Sequence, residues 1–188
     1  SEYMFLDDTA CNLASINLMR FYDSEHRTFA VDGYEHAIDI WTIVLEISVL
    51  MAAFPSRAIA EKSWTSRTLG RGFANLGAML TQAGIPYDSP EGRHICGCMS
   101  AILTGRAYAM SAQLAAEHGP FDAYERNREG MLRVIRNHRR AAMGVSRQSA
   151  EWEGLEVRPV SIDHAIAESD SMTFANASTI LSHAAEAW

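Results

Sequence analysis

Residues 32–55, with the sequence DGYEHAIDIWTIVLEISVLMAAFP, indicate a largely helical chain. Asp32 followed by Glu35 is a variant of the capping box, so a helix is predicted to begin at Asp32. Pro55 ends it, because proline disfavours the helical conformation in the residue before it. Apolar residues repeat every three or four positions and predict one apolar face, made by Ala37, Ile38, Trp41, Val44, Leu45 and Ser48. Further apolar residues (Ile40, Ile43, Ile47 and Leu50) lie on other sides, so burial on more than one side is expected.

Capping signals divide the rest of the chain into further helices. Ser89 is a good N-cap and Pro90 suits the first helical turn, so a long helix is predicted from there to His118. Gly70 and Gly72 are expected to bracket a break between two helices. The predicted segments are a loop end and strand at 1–22, helices within 32–143, an irregular linker at 145–160 and a terminal helix at 171–188. The fold class is therefore mainly α, with one or two strands at the N-terminus.

Composition narrows the classes of function. Apolar residues make up 48% and charged residues 21% of the 188 residues, as in a soluble protein of one compact domain. A formal net charge of −7 argues against general nucleic-acid binding. Asp39 and Glu46 interrupt the most apolar stretch, which is too short to span a membrane. The N-terminus lacks the basic start of a signal peptide, and three cysteines do not make a disulfide framework, so a cytoplasmic location is expected.

Several polar residues could carry chemistry, although each also has a plain structural explanation. Cys11 lies among small apolar residues, where a free cysteine most often fills the core. His94, Cys96 and Cys98 suggest a metal site, but residues two apart on a helix diverge, so packing is favoured and no metal is predicted. An arginine-rich segment favours a solvated helix face, and a phosphate or an acidic partner surface remains the alternative. That segment contains Arg133, Arg136, Arg139, Arg140 and Arg147.

Residues 1–18, SEYMFLDDTACNLASINL, closely resemble the active-site finger loop and following strand of adenosylcobalamin-dependent (class II) ribonucleotide reductases. In that family an Asn-Pro-Cys-Ser/Gly-Glu run is followed by Cys-Asn-Leu-(Ala/Gly)-Ser-(Ile/Leu)-Asn-Leu. The resemblance extends over about residues 1–160 and includes, in the same order, LEISVLM at 45–51, RTLGRGFANLG at 67–77, GIPY at 84–87 and MLRVIRNHRRAA at 131–142. Arg71 departs from the pattern, since relatives usually have an apolar residue there.

The resemblance implies a fold and a chemistry. The chain is expected to be the helical part of a reductase catalytic barrel, a single partial domain over 1–188. Glu2 matches the general base that acts on the ribose 3′-hydroxyl. Cys11 matches one member of the cysteine pair that supplies reducing equivalents, and neither Cys96 nor Cys98 matches its partner. A cysteine thiyl radical, which the family motif places just before Ser1, abstracts the ribose 3′-hydrogen.

The expected partners are the ribonucleotide substrate and the missing N- and C-terminal parts of the enzyme, and a homo-oligomer is left open. Adenosylcobalamin belongs to the complete enzyme, and none is expected on this fragment, which should be inactive alone. A chain that begins at Ser1 fits a split-intein junction, a truncated reading frame or a cloned segment. A mostly helical interaction module without catalysis is the alternative function.

Overall fold

The computed structural model describes residues 6–10, 12–170 and 172–188. Among them, the helices are α1 (Val31–Met51), α2 (Arg57–Ser66), α3 (Leu76–Ala83), α4 (Pro90–His118), α5 (Tyr124–Ala142) and α6 (Ala177–Glu186), with short 3-10 helices at Leu18–Arg20 and His164–Glu168. The strands are β1 (Asn12–Asn17), β2 (Tyr22–Asp23), β3 (Thr28–Phe29) and β4 (Leu69–Ala74). The mainly α fold predicted from the sequence is confirmed.

Helix α4 forms the centre of the core and packs against α1, α5 and α6. It begins as predicted, since the Ser89 hydroxyl accepts the Gly92 N–H at 2.9 Å and Pro90 follows the cap. Ile95, Met99 and Ile102 are fully buried. The core around this helix therefore organises most of the chain.

Strands β1 and β4 pair in parallel, with Asn12 opposite Leu69 and Asn17 opposite Ala74. Parallel strands need a long crossover, and α1 and α2 provide it here. The sequence analysis placed a break between helices at Gly70, whereas this residue lies within a strand. A Cβ atom at Gly70 would lie 3.0 Å from the Asn12 carbonyl oxygen, so glycine permits the close approach of the two strands.

The predicted start of α1 was wrong in detail. The helix begins at Val31, and its N-cap residue Ala30 makes no side-chain cap. The Glu35 carboxylate instead lies 2.8 Å from His183 Nδ1 on α6, so it does not complete a capping box. Tertiary contact with α6 thus replaces the local cap.

One side of α1 is buried, through Val31, Tyr34, Ile38, Thr42, Leu45 and Val49. The predicted burial on more than one side is not found among residues 6–10, 12–170 and 172–188. On the opposite side, Trp41 is 43% exposed and Leu50 is 52% exposed, and the apolar residues beside them are exposed to a similar degree. We call this surface the α1 outer face; it comprises Ile40, Trp41, Val44, Ile47 and Leu50.

Residues 145–160 contain no helix or strand but are firmly attached to α5. Asn137 is buried, and its side chain accepts the Glu153 N–H at 3.1 Å and donates to the Glu153 carbonyl at 2.9 Å. The Glu153 carboxylate pairs with both Arg136 and Arg140, each at 2.7 Å. Hydrogen bonds from Arg136 and then Arg140 lower the pKa of Glu153 to about 2.

The C-terminal helix is shorter than the predicted 171–188, because α6 covers Ala177–Glu186. Asn176, just before it, bonds with both its side-chain atoms to the backbone of Phe29, at 3.0 and 2.8 Å. The residues preceding α6 are therefore held beside β3 and do not extend the helix. None of the described helices is both long and apolar enough to cross a membrane.

The absence of a side chain at Gly105 should be needed for the close contact between α4 and Ala187 at the end of α6. A Cβ atom there would lie 2.7 Å from the Ala187 carbonyl oxygen, so Gly105→Ala should lower the free energy of unfolding by about 1–3 kcal/mol through overpacking. Gly130→Ala is the matched control, because Gly130 is helical and exposed with nothing within 4 Å. It should raise that free energy by about 0.5–1 kcal/mol. Urea unfolding measures the free energy of unfolding of both variants. If the two variants change it by the same amount and with the same sign, the described contact at Gly105 is wrong.

Candidate functional site

Glu2 and Cys11, the two candidate catalytic residues, lie outside the described residues. The structure does describe both chain neighbours of Cys11. Ala10 precedes it, and Asn12 follows it as the first residue of β1. The surroundings of these neighbours therefore define the candidate site.

The backbone of Ala10 is bound on both sides by two hydroxyl groups. Its N–H donates to Ser63 Oγ at 2.9 Å, and its carbonyl oxygen accepts from Thr68 Oγ1 at 3.3 Å. Ser63 is only 3% exposed although it is polar. We call this pair of side chains the Ala10 clamp.

Local chain geometry brings the two clamp residues together. Ser63 lies in the last turn of α2, and Arg67 ends the helix in the left-handed conformation at φ 48°. A non-glycine residue rarely adopts that conformation, so other contacts must compensate. Arg67 forms an ion pair with Glu46, and its guanidinium carbon lies 4.2 Å from the centre of the Trp64 ring. These contacts hold the turn that places Thr68 directly before β4.

The two faces of β1 differ. Ile16 is buried in the core beside α1, whereas Leu13, Ser15 and Asn17 are exposed. At the far end of the strand, the Asn75 side-chain amide donates to Asn17 Oδ1 at 2.9 Å. The strand that follows Cys11 therefore has one covered face and one open face.

Three charged residues meet between β4, α1 and α4. Asp39 and Arg106 form a two-pronged ion pair, with Nε to Oδ1 at 2.8 Å and Nη2 to Oδ2 at 2.6 Å. Burial lowers the pKa of the Arg71 guanidinium to about 10, and Asp39 opposes this shift. Arg71 Nη1 is buried and has no hydrogen-bond partner in the part of the chain that the structure describes. Arg71 therefore lies within the regular strand β4 although its guanidinium is partly desolvated.

Helix α4 carries a buried histidine and cysteine one turn apart. His94 Nε2 lies 3.6 Å from Cys98 Sγ, a contact that the spacing of four predicts but the sequence analysis missed. Burial raises the pKa of the Cys98 thiol to about 12 and lowers the pKa of His94. Cys96 is half-buried, and both thiols are free. No cluster able to hold a metal ion occurs among the residues the structure describes.

The arginine-rich segment is only partly a free helix face. Arg133, Arg139 and Arg147 are exposed, whereas Arg136 and Arg140 share the Glu153 carboxylate. Two of the five arginines therefore attach residues 145–160 to α5.

The sequence of the chain matches a model of the ribonucleotide reductase barrel domain over residues 1–175. The chain belongs to this family. It is 54% identical over all 188 residues to the vitamin B12-dependent ribonucleotide reductase of Agrobacterium fabrum. The identity to the enzyme of that name from Bradyrhizobium diazoefficiens is also 54% over the whole chain. With the Rhodopirellula baltica enzyme it is 48% over 141 residues, or 75% of the chain.

The chain spans 14% of the length of each of these three relatives. The family match and these identities confirm the resemblance to class II reductases that residues 1–18 and the later blocks indicated.

The sequence analysis missed the clamp residues Ser63 and Thr68. A serine inside a helix gives no signal of a contact with a residue 53 positions away, and only the pairing of β1 with β4 brings it near.

Cys98 should not react with alkylating reagents in the folded chain. Its thiol is fully buried with a pKa of about 12, so only about one molecule in ten thousand carries the thiolate at about pH 8. Iodoacetamide labelling followed by peptide mass spectrometry should find Cys98 unmodified before unfolding and modified in concentrated guanidinium chloride. Rapid native labelling of Cys98 would contradict the described packing around α4.

Proposed function

We propose that this chain forms part of the catalytic barrel of an adenosylcobalamin-dependent ribonucleotide reductase. Identity of 54% to two vitamin B12-dependent reductases over the whole chain carries the proposal. The partners would be a ribonucleoside di- or triphosphate and the remainder of the enzyme, in the cytoplasm. Self-association of the whole enzyme is compatible with this function.

The open surfaces of the chain support membership of a larger barrel. Parallel sheets are normally covered on both faces, and a pair of strands is rarely stable alone. In this chain, β1 pairs with β4, while Leu13 on its open face is 51% exposed. The α1 outer face adds a second apolar surface. Both surfaces are suited to contact with further strands and helices of the same enzyme.

The chemistry assigned to the site needs a base and a dithiol. Glu2 would accept the proton of the ribose 3′-hydroxyl after a thiyl radical on another cysteine of the enzyme has taken the 3′-hydrogen. Cys11 and a second thiol would then lose two electrons and two protons as their disulfide forms. Those electrons and protons replace the 2′-hydroxyl by hydrogen, and the hydroxyl leaves as water. At the end of the cycle the cysteine would return the hydrogen to the ribose 3′-carbon and become a thiyl radical again.

The second thiol should come from outside this chain. Cys98 is a poor candidate, because it is fully buried and its pKa is raised to about 12. A thiol in disulfide exchange needs access and thiolate character. Cys96 lies on the same helix, only two residues away from Cys98, and it too matches no redox position of the family.

The described residues do not fit a cobalamin. One shallow depression is lined by residues 143–147 and 160–165 and another by 147–148 and 156–158, and both are open to solvent. Neither would enclose a corrin ring. In a complete enzyme the site of the cofactor, which supplies the radical, would therefore need residues beyond these.

A helical interaction module is the second candidate. The α1 outer face favours it, since exposed apolar side chains commonly mark a contact surface. This candidate requires no chemistry at Glu2 or Cys11. Substitution of those residues should therefore abolish the activity of a reductase but leave the binding of an interaction module unchanged.

The decisive experiment places this chain in a complete enzyme. In a chimera, the 188 residues replace the matched segment of the Agrobacterium fabrum reductase, with adenosylcobalamin, ribonucleotide and a dithiol supplied. Deoxynucleotide should form over many turnovers. Cys11→Ser should abolish repeated turnover, and Glu2→Gln should slow the reaction by about 10²- to 10⁴-fold, since it removes the base.

Cys96→Ser is the matched control and should keep the activity of the parent chimera. If the folded chimera makes no deoxynucleotide, the chain does not function in the barrel. If Cys11→Ser keeps cycling at the parent rate, Cys11 is structural and the assignment of the redox pair is wrong.

A further inference from the structure

A cysteine that forms and loses a disulfide in every turnover must be placed accurately. The Cα atoms of bonded cysteines are usually about 4.4–6.8 Å apart, and departures from the preferred geometry strain the bond. Since consecutive Cα atoms are about 3.8 Å apart, anchoring both neighbours of a residue limits where its side chain can go. A redox cysteine therefore benefits from fixed neighbours.

Both neighbours of Cys11 are anchored. Asn12 begins β1 and lies opposite Leu69 in the parallel pair. Ala10 is bound at its N–H by Ser63 and at its carbonyl by Thr68. These contacts come from elements more than fifty residues away, so they are tertiary and do not belong to a local turn.

Ser63 is an unusual choice for its position in the fold. It is 3% exposed near the end of α2, where an apolar residue would serve packing equally well. Burying a hydroxyl is unfavourable unless it is hydrogen-bonded, and the Ala10 N–H provides a bond of 2.9 Å. Thr68 provides a second hydroxyl one residue before β4. Two hydroxyl groups thus bind the backbone of the one residue before the candidate redox residue, on the peptide units on either side of Ala10.

We propose that Ser63 and Thr68 are positioning residues, which fix the backbone of Ala10 and so place the neighbouring Cys11 thiol for disulfide formation. The inference rests on the proposed redox role of Cys11. It differs from ordinary stabilisation, because loss of the clamp should slow the reductive step in an enzyme that remains folded and still binds nucleotide.

The clamp itself is tested in the 188-residue chain by amide hydrogen exchange. Ser63→Ala should increase the exchange rate of the Ala10 amide at least about fivefold, as expected for loss of one hydrogen bond. Thr65→Ala is the matched control, since the Thr65 hydroxyl bonds to the Glu61 carbonyl within the same helix at 2.7 Å. If the Ala10 amide exchanges at the same rate in Ser63→Ala as in the parent chain, Ser63 does not hold Ala10 and the clamp is wrong.

Its role is tested in the active chimera described above. The double variant Ser63→Ala/Thr68→Val should lower kcat about 10- to 100-fold with little change in KM or Tm, because a small misplacement of a reacting group is costly. Thr68→Ser, which keeps the hydroxyl, should restore most of the loss due to Thr68→Val.

The outcomes separate this inference from the proposed function. If Cys11→Ser stops turnover but the double variant keeps the parent kcat, positioning by the clamp is wrong and the redox assignment stands. If Cys11→Ser cycles normally, the redox assignment fails and the positioning role falls with it. A fall in Tm that accounts for the lost activity would reduce Ser63 and Thr68 to structural residues and overturn the proposal.

Discussion

The parallel pairing of β1 with β4 is the constraint on which the rest of the structure depends. It joins the motif at residues 1–18 to the glycine-containing strand at Leu69–Ala74, more than fifty residues later. Because the strands are parallel, the chain between them must cross over, and α1 packs on β1 as part of that crossover. The same pairing brings Thr68 and the end of α2 to Ala10. The candidate site therefore has an environment that no local segment could create.

Local signals predicted most of the helices. Ser89 caps α4 as expected, and Ser56 caps α2 in the same way, because these side chains satisfy backbone donors within their own segments. The sequence analysis failed where a distant partner decides the outcome. Glu35 binds His183 and caps no helix, and Asn176 binds Phe29, which delays the start of α6. Gly70 suggested a break in sequence, but it is required for close strand contact.

The candidate site could be predicted only in part for the same reason. The family motif indicated Glu2 and Cys11 as candidate residues from the order of residue types, and their roles stay predictions. Periodicity within one helix could not reveal that Ser63 contacts Ala10, or that the α1 outer face remains uncovered. A repeating pattern of apolar residues indicates which side chains are expected to be buried. It does not indicate whether the surface that covers them lies within the same 188 residues. A chain that spans 14% of its relatives' length leaves much of that patterning unmatched.

Native-state amide exchange of the 188-residue chain tests the central pairing most directly. If β1 and β4 form one cooperative unit, the protected amides at 12–17 and 69–74 should open with the same free energy. That free energy should exceed the value for the irregular residues 145–150. Rapid exchange throughout 12–17, with protection retained at 69–74, would contradict the account, because β4 would then be held without β1 as its partner.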